Sequence, residues 1–375
     1  MNSTVDDLIT IASHFTSQGK VAAIQSFGNG NVNDTFLVTV DASGKEEFIL
    51  QRINTQVFRH PQLVMQNMCI YTQHVSDRLH HSPLDRRWEV SQVLFTQDHQ
   101  NHWADDKGEF WRAISYINGS QSFDTLQNPE QAEEVGYALG VFHNLISDLP
   151  PEKLADTLEG FHITPLYLQQ YEAVRADSQI PQGSQFIPNH SSEVDYCLKF
   201  VGDRQTWAPI LETAKAQNKL PLRLMHGDPK VNNIMFDIAT QKAVSIIDLD
   251  TVKPGLVHYD IGDCLRSGCN PTGEETEHWQ TVHFEPDLCQ RILQGYFSVA
   301  KAFFTENDYF YLYDSIRLLA FELGLRFFTD YLAGNVYFKV KYPEHNLIRA
   351  LVQFKLTESI ELQEATLRTI IRDLQ

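Results

Sequence analysis

The residues with the clearest chemical potential lie in one short segment, 226–233, and in a pair of acids that follows it. The segment reads His-Gly-Asp-Pro-Lys-Val-Asn-Asn, and Asp248 and Asp250 end the next apolar run. Asp228 can orient and deprotonate a hydroxyl, and the oxygens of Asn233 and Asp248 suit magnesium, which prefers hard oxygen ligands. Asp250 can support the metal from behind. Phosphoryl transfer from magnesium-ATP needs such a base and such ligands, so the spacing predicts that chemistry.

The alternative interpretation is an ordinary polar loop, because Asp, Asn and Gly are common in turns. Short apolar segments at 222–225 and 234–236 flank the loop, and a further strand at 243–247 follows a predicted hairpin turn at 237–242. The order strand, loop, strand, turn, strand, acid is the layout of a kinase catalytic centre. A turn composition explains the residue types but not this order, so the catalytic interpretation is favoured.

The pattern His-Gly-Asp-x-x-x-x-Asn followed by Ile-Asp-x-Asp resembles the aminoglycoside phosphotransferase and choline kinase superfamily, small-molecule relatives of protein kinases. Within it, the closest resemblance is to N-acetylhexosamine 1-kinase. The stretches that carry it are 28–33, 48–54, 160–165, 247–263 and 322–338. The resemblance implies an α+β, protein-kinase-like bilobal fold. A small β-rich nucleotide-binding lobe is expected at 1–117, and a larger, mainly helical catalytic and substrate-binding lobe at 118–375.

Hydrophobic spacing predicts elements that agree with this layout. Helices are predicted at 5–16, 63–74, 129–149, 309–331 and within 345–374. Strands are predicted at 21–27, 35–40, 47–53, 90–96 and 110–117. A surface loop is expected at 176–192.

The loop between the first two strands contains Gly28, Asn29, Gly30 and Asn31. Glycine lets backbone N–H groups close over the phosphates of a nucleotide, and Asn tolerates similar backbone angles. Gly and Asn also make plain hairpin turns, so the composition is a weak signal. The loop lacks the Lys of a Walker motif and the third Gly of a dinucleotide fingerprint. Its position one hairpin before Arg52 favours a nucleotide-binding role.

Arg52 stands where kinases place the strand Lys that holds the α and β phosphates, and the guanidinium fork can do that work. The alternative is a solvated strand charge. Kinases pair this cation with a helix Glu, but no acidic residue occurs from 60 to 76. Gln66, Glu46, Glu47 or a backbone oxygen could substitute, and the partner is left open.

The remaining nucleotide contacts rest wholly on the resemblance. It implies that adenine meets exposed backbone at Ser115, Tyr116 and Ile117, where the two lobes join. It also implies ATP and Mg2+ as the cofactors.

Acceptor contacts are predicted from the segment 326–337. In the resembling family, Arg and Tyr at the positions that match Arg326 and Tyr337 contact the sugar, and the loop with Asn33 lies nearby. The alternative for Arg326 is a surface salt bridge with Glu322 or Asp330, which would contribute little. The aromatic surroundings favour a sugar site.

The resulting hypothesis is phosphorylation of an N-acetylhexosamine at its anomeric hydroxyl. Asp228 acts as the base, and Lys230 approaches the γ phosphate or is a solvated charge. His226 and Asp260 are expected to brace the loop. The segment 160–162 offers a further polar and aromatic patch.

Two other classes stay open. One is a kinase for another small hydroxyl compound, such as an aminoglycoside, choline or homoserine. The other is a non-catalytic nucleotide-binding pseudokinase, against which the joint presence of Asp228, Asn233 and Asp248 argues.

Composition excludes several partners. The 375-residue chain has a formal charge of −18 and no run of Lys and Arg, which argues against nucleic-acid binding. The start carries acids where a secretory signal carries bases, and no apolar segment reaches membrane-spanning length. The five cysteines are an odd number scattered along the chain, typical of reduced thiols. A cytoplasmic enzyme with a small-molecule partner is therefore expected.

Overall fold

A computed structural model describes residues 4–16, 19–28, 32–41, 45–105, 108–177 and 191–375. The chain forms two compact units. The first comprises Met1–Ser120, Asp148–Glu159 and Ile247–Pro254, and the second comprises Gln121–Ser147, Gly160–Ile246 and Gly255–Gln375. The chain therefore returns to the first unit twice, and the second return carries Asp248 and Asp250.

An antiparallel sheet and two long helical segments make up most of the first unit. The helices are α1 Val5–Ser13 and α2 Pro61–His81. The strands are β1 Lys20–Ser26, β2 Asp34–Asp41, β3 Lys45–Ile53, β4 Val93–Leu94, β5 Trp103–Ala104 and β6 Phe110–Ser115. The strand order is β1-β2-β3-β6-β4, and β5 also pairs with β6.

Helix α1 covers one face of this sheet. It begins at a capping box, in which Thr4 and Asp7 each accept a hydrogen bond from the backbone N–H of the other. Its apolar side packs against the side chains of alternate strand residues. The shared core consists of Leu8, Ile11, Ala12, Phe15, Val38, Val40, Phe48, Leu50, Trp111 and Ala113. Because successive strand side chains point to opposite faces, the residues between these positions face away from α1.

The second unit is mainly helical. Its helices are α3 Pro129–Leu145, α4 Thr164–Asp177, α5 Ser192–Arg204, α6 Ile210–Ala216, α7 Val257–Gly268, α8 Pro286–Ala300, α9 Glu306–Leu332, α10 His345–Leu362 and α11 Glu364–Leu374. The remaining strands are β7 Ser120–Gln121, β8 Arg223–Met225, β9 Ile234–Asp237, β10 Ala243–Ile246 and β11 Lys253–Gly255. Strands β9 and β10 form an antiparallel hairpin.

Helix α9 is the central element of the second unit. It packs against α4, α7 and α10, and it is apolar on most sides because neighbours surround it. It carries Glu322, Arg326 and Asp330 at intervals of four residues. Residues at that interval lie on the same side of a helix, so α9 presents three charged groups together.

The fold class predicted from the sequence is confirmed: a small β-rich part precedes a larger helical part. Several predicted segments differ in extent, among them the helices predicted at 5–16 and 129–149, which end at Ser13 and Leu145. The helix predicted at 63–74 is part of the longer α2, and the strand predicted at 90–96 is only the two-residue β4. The region 345–374 divides into two helices at Gln363, whose side chain donates to the carbonyl of Phe284. No helix in the described ranges is long and apolar enough to cross a bilayer.

The contact between α3 and α8 gives a stability prediction. A Cβ at Gly136 would lie 1.8 Å from the carbonyl oxygen of Ile292, whereas a Cβ at Gly202 in α5 would meet no atom within 4 Å. Gly136→Ala should therefore lower the free energy of unfolding by about 1–3 kcal/mol or more through overpacking. Gly202→Ala should raise it by roughly 0.5–1 kcal/mol because Ala favours helices. Urea denaturation of both variants checks this, and equal effects would contradict the close packing.

Candidate functional site

The loop between β8 and β9 carries Asp228, and the buried carboxylate of Asp260 holds it. Asp260 lies on α7 and accepts hydrogen bonds from the backbone N–H groups of His226, at 2.6 Å, and Gly227, at 2.8 Å. Its Oδ2 also lies 2.8 Å from Nε2 of His143. Bracing by Asp260 is the role expected from the sequence, whereas His143 is not among the residues predicted to act there. His143 belongs to the same brace.

The backbone around Gly227 directs the Asp228 side chain out of the core. His226 is fully buried, and its Nδ1 accepts a hydrogen bond from the backbone N–H of Asp228 at 3.2 Å. Gly227 has φ +88°, a left-handed conformation that glycine adopts at little cost. The Asp228 side chain is 28% exposed, so the predicted base is accessible.

Asp228, Lys230 and Asn233 lie together at this loop. Lys230 Nζ is 2.7 Å from Oδ2 of Asp228. The amide nitrogen of Asn233 donates to the carbonyl oxygen of Asp228 at 2.7 Å and to its Oδ2 at 3.3 Å. Because the amide nitrogen is turned toward the loop, Oδ1 is the atom of Asn233 that can ligate a metal.

His162 supports the same loop from the other side. Its Nε2 lies 2.7 Å from the carbonyl oxygen of Gly227, and its Nδ1 lies 2.8 Å from Oε1 of Glu322. Thr164 donates to the other oxygen of Glu322 at 2.5 Å. Burial alone would lower the pKa of His162, but the Glu322 carboxylate outweighs it and raises that pKa. The segment 160–162 was predicted as a polar patch for substrate, and for buried His162 that expectation is wrong: both ring nitrogens are used internally.

Arg326 lies in a cage of aromatic rings. Its guanidinium carbon is 5.2 Å from the ring centroid of Phe161, 5.0 Å from that of Tyr167 and 5.5 Å from that of Phe338. The alternative of a salt bridge with Glu322 or Asp330 is not observed within the described part of the chain. Glu322 is bonded to His162 and Thr164, as noted above. Among the described residues, the rings of the cage are therefore the contacts recorded for the Arg326 guanidinium.

Asp330 shapes the loop that presents Tyr337. Its carboxylate accepts hydrogen bonds from the backbone N–H groups of Val336, Tyr337 and Phe338, at 2.8–3.0 Å. The Tyr337 ring is 55% exposed, and Phe338 next to it contributes to the cage around Arg326. The structure thus brings together the two residues predicted to contact the sugar.

Asp263 was missed as a candidate site residue. Its Oδ1 pairs with Nε of Arg266 at 2.7 Å, while its buried Oδ2 has no hydrogen-bond partner among the described residues. Burial alone would raise the pKa of Asp263, but Arg266 and His162 lower it, so the carboxylate is charged. Burial alone would lower the pKa of Arg326, and the negative charge of Asp263 is one of those that raise it. The spacing of Asp260 and Asp263 on one side of a helix was a signal that could have identified it.

Asp248 and Asp250 lie in the first unit, where the backbone makes a tight turn. Asp248 has φ +65°, a left-handed conformation that is uncommon for residues other than glycine and costs on the order of 1–3 kcal/mol. A single turn of 3-10 helix, Leu249–Thr251, follows it. Strained backbone of this kind concentrates at functional sites, which agrees with the predicted metal-binding role of Asp248.

Asn33 was predicted as a substrate contact, but the structure uses its amide as a brace. Its Nδ2 donates to Oδ2 of Asp250 at 2.6 Å, and its Oδ1 accepts from the backbone N–H of Asn54 at 3.0 Å. Asn33 therefore ties the start of β2 both to the turn at Asp250 and to the residue that follows β3. This arrangement argues against a direct sugar contact.

Arg52 is engaged by two acids and an aromatic ring within the first unit. It shares the α1 face with Leu50 and lies 5.7 Å from the ring centroid of Trp111. Its guanidinium pairs with Asp34 on β2 and, at 2.7 Å, with Glu109 just before β6. The open question of its partner is thus answered by two acids outside α2. Engaged on the α1 face, Arg52 is a weak candidate for a phosphate ligand.

Gly28 and Tyr116, which are both predicted nucleotide contacts, lie near each other in the first unit. Phe27, next to Gly28, meets the ring of Tyr116 edge-on with centroids 5.8 Å apart. Ser115 exchanges hydrogen bonds with Gln92, and the carbonyl of Ile117 accepts from the Ser120 hydroxyl at 2.6 Å. Gly28 has φ +72° and open space around it. Asn29, Gly30 and Asn31 lie outside the described residues.

The donor set fits magnesium bound together with a nucleotide. Within the described ranges, no group of three or more His, Cys, Asp or Glu side chains could hold a metal ion by itself. Magnesium at nucleotide sites usually takes one or two carboxylates, with phosphate oxygens and water completing the shell. Asp248 of the first unit and Asn233 of the second are each an oxygen-bearing residue of the type that magnesium prefers.

Comparisons with known proteins agree with this chemistry. Residues 23–287 match the phosphotransferase enzyme family. Among solved structures, spectinomycin phosphotransferase in complex with ADP and spectinomycin is 14% identical with a TM-score of 0.57, covering 98% of this chain and 100% of that one. Choline kinase from Cryptosporidium parvum is 12% identical with a TM-score of 0.55, covering 92% of each chain. Plasmodium vivax ethanolamine kinase is 13% identical with a TM-score of 0.53, covering 94% and 84%. These likenesses support the kinase-like fold.

The two hydrogen bonds of His162 give a pH prediction. A raised pKa means that the protonated ring stabilises the fold fully below the unfolded value of about 6.5, and that this contribution is lost as pH rises through the folded pKa. The neutral ring has one N–H, so it can donate to the Glu322 carboxylate or to the Gly227 carbonyl but not to both. Deprotonation therefore loses one of the two hydrogen bonds. Side-chain 15N NMR should show His162 titrating above pH 6.5. His258, whose pKa burial lowers to about 4, is the control and should stay neutral there. Titration of His162 below 6.5 would contradict the brace.

Proposed function

Because the chain belongs to the phosphotransferase enzyme family, we propose that it transfers the γ-phosphoryl group of magnesium-ATP to a hydroxyl of a small neutral sugar. The observation that carries the proposal is the Asp228 loop, in which an accessible carboxylate is held between Lys230 and Asn233 on a buried brace. The guanidinium of Arg326, which lies in an aromatic cage and has no ion pair among the described residues, supports the choice of acceptor.

Asp228 is the proposed base. Its carboxylate takes the proton of the acceptor hydroxyl while the hydroxyl oxygen forms a bond to the γ phosphorus. The bond between that phosphorus and the β–γ bridging oxygen breaks, and ADP leaves with the electron pair. Lys230, beside the Asp228 carboxylate, stabilises negative charge on the transferring group. Magnesium held by Asn233 and Asp248 would neutralise charge on the phosphates.

The aromatic cage favours a neutral acceptor over a cationic one. Quaternary ammonium ligands need an aromatic cage, and the cage described here already surrounds the guanidinium of Arg326. That guanidinium would repel a positively charged acceptor.

Sugar hydroxyls suit the chemistry of Asp263 and Arg326. A hydroxyl can donate to Oδ2 of Asp263, which has no hydrogen-bond partner among the described residues, and can accept from the fork of Arg326. The exposed ring of Tyr337 offers an apolar face for the sugar ring. We propose an N-acetylhexosamine as the acceptor and its anomeric hydroxyl as the reacting group, and this finer assignment rests on the resemblance of the sequence to N-acetylhexosamine 1-kinase.

Replacing the base tests the reaction. Asp228→Asn should leave the fold intact and lower kcat on the order of a hundredfold or more, because a positioned base is lost. A coupled assay for ADP release with N-acetylglucosamine or N-acetylgalactosamine measures the effect. Asp203→Asn is the matched control, since Asp203 is an exposed helix acid paired with Lys199 one turn earlier. Unchanged turnover in Asp228→Asn would remove Asp228 from the role of base.

The product identifies the reacting hydroxyl. Phosphorus NMR of the product should show coupling to the anomeric proton, whereas a C6 phosphate would couple to two methylene protons. A panel containing spectinomycin, choline, ethanolamine and homoserine tests the rival acceptors. Faster turnover of any of these than of both hexosamines would refute the sugar assignment but leave the kinase assignment intact.

Arg326 gives a separate prediction about acceptor binding. Arg326→Lys keeps the positive charge and removes the fork, so the KM for the sugar should rise about tenfold or more while the KM for ATP stays constant. Arg317→Lys is the control on the same helix, because Arg317 also stacks on aromatic rings but is paired with Asp314. Equal changes in both KM values would point to a structural role.

A further inference from the structure

A buried ion pair joins strand β6 to the turn that contains the predicted metal ligand. Arg112 and Asp250 have side chains 1% and 2% exposed, and Nη1 of Arg112 lies 2.5 Å from Oδ1 of Asp250. Nε and Nη2 of Arg112 both donate to Oε1 of Gln51, at 2.9 and 2.7 Å. Removing charges from water is costly unless each is paired, and here each has an assigned partner.

The pair lies on the face of the sheet that is turned away from α1. Gln51 and Arg112 are opposite each other in the β3–β6 ladder, on the face turned away from α1. Helix α2 covers that face, where Sδ of Met68 lies 3.8 Å from Nη1 of Arg112. Arg52 projects from the other face. On the face that α2 covers, β3 therefore carries Gln51, and the cation, Arg112, comes from the neighbouring strand β6.

Other contacts fix the turn that Arg112 reaches. Asn33 donates to Oδ2 of Asp250, and the hydroxyl of Thr157 donates to the Asp250 carbonyl at 3.1 Å. Asn67 of α2 donates to the carbonyl of Val252 at 3.0 Å. Both the side chain and the backbone of the turn are therefore held. Asp248 lies two residues before Asp250, in the left-handed conformation described above.

We propose that the Arg112–Asp250 pair positions Asp248 for the magnesium of the nucleotide, replacing the strand Lys and helix Glu pair of other kinases. The inference rests on the proposed function. Arg112 is a positioning residue: its charge holds Asp250, and Asp250 holds the backbone of the turn. A pair that served packing alone could be replaced by apolar side chains without loss of stability.

Binding of AMP-PNP, an ATP analogue that cannot transfer its terminal phosphoryl group, tests the proposal. Calorimetry with Mg2+ and with EDTA separates the metal-dependent part of the affinity from the rest. In Arg112→Gln and in Asp250→Asn the affinity with Mg2+ should fall about tenfold or more, while the affinity in EDTA stays constant. The double variant should bind AMP-PNP with Mg2+ no more weakly than the weaker-binding single variant, because both changes break the same interaction.

Two further variants separate positioning from general stability. Arg112→Lys should restore part of the Mg2+-dependent affinity, and it decides the question alone if Arg112→Gln does not fold. Arg204→Gln breaks a half-buried pair with Glu361 in the second unit and should leave the affinity unchanged.

The outcomes are distinguishable. Folded Arg112 variants with wild-type Mg2+-dependent affinity, or with equal losses in Mg2+ and EDTA, would overturn the positioning role. A wild-type protein that neither binds AMP-PNP with Mg2+ nor transfers phosphate would instead overturn the proposed function.

Discussion

The buried carboxylate of Asp260 is the interaction on which the reactive loop depends. Backbone N–H groups in a core must be paired, and those of His226 and Gly227 find their partner in this one side chain. His143 holds the carboxylate in turn. Without this brace, the left-handed turn at Gly227 would lose two hydrogen bonds, and Asp228 would lose its fixed direction.

Buried carboxylates also hold the other segments that carry residues with proposed roles. Glu322 fixes His162, which holds the Gly227 carbonyl, and Asp330 fixes the loop that carries Tyr337. Asp250, in the first unit, is paired with buried Arg112. In each case a buried carboxylate orders backbone next to a residue with a proposed role. The acids that do chemistry are thus separate from the acids that hold them, and the second group is paired within the protein.

The acceptor side follows a different principle. An aromatic cage surrounds the protein's own guanidinium at Arg326, and Asp263 keeps one carboxylate oxygen without a partner among the described residues. Complementary donors and acceptors suit hydroxyl groups better than an ammonium group. Choice among small hydroxyl compounds would then depend on this pair of groups rather than on the loop that carries the base.

The sequence by itself determined the order of strands and helices and the grouping of Asp228, Lys230 and Asn233, because periodicity and short spacing are local properties. Tertiary structure alone decided which cation meets which acid. A strand alternates faces at every residue, so the roles of Arg52 and Arg112 depend on which helix covers each face and on the β3–β6 register. The engagement of Asn33 with Asp250, 217 residues away, likewise required the folded chain. Contacts between residues so distant in sequence leave no signal in local spacing.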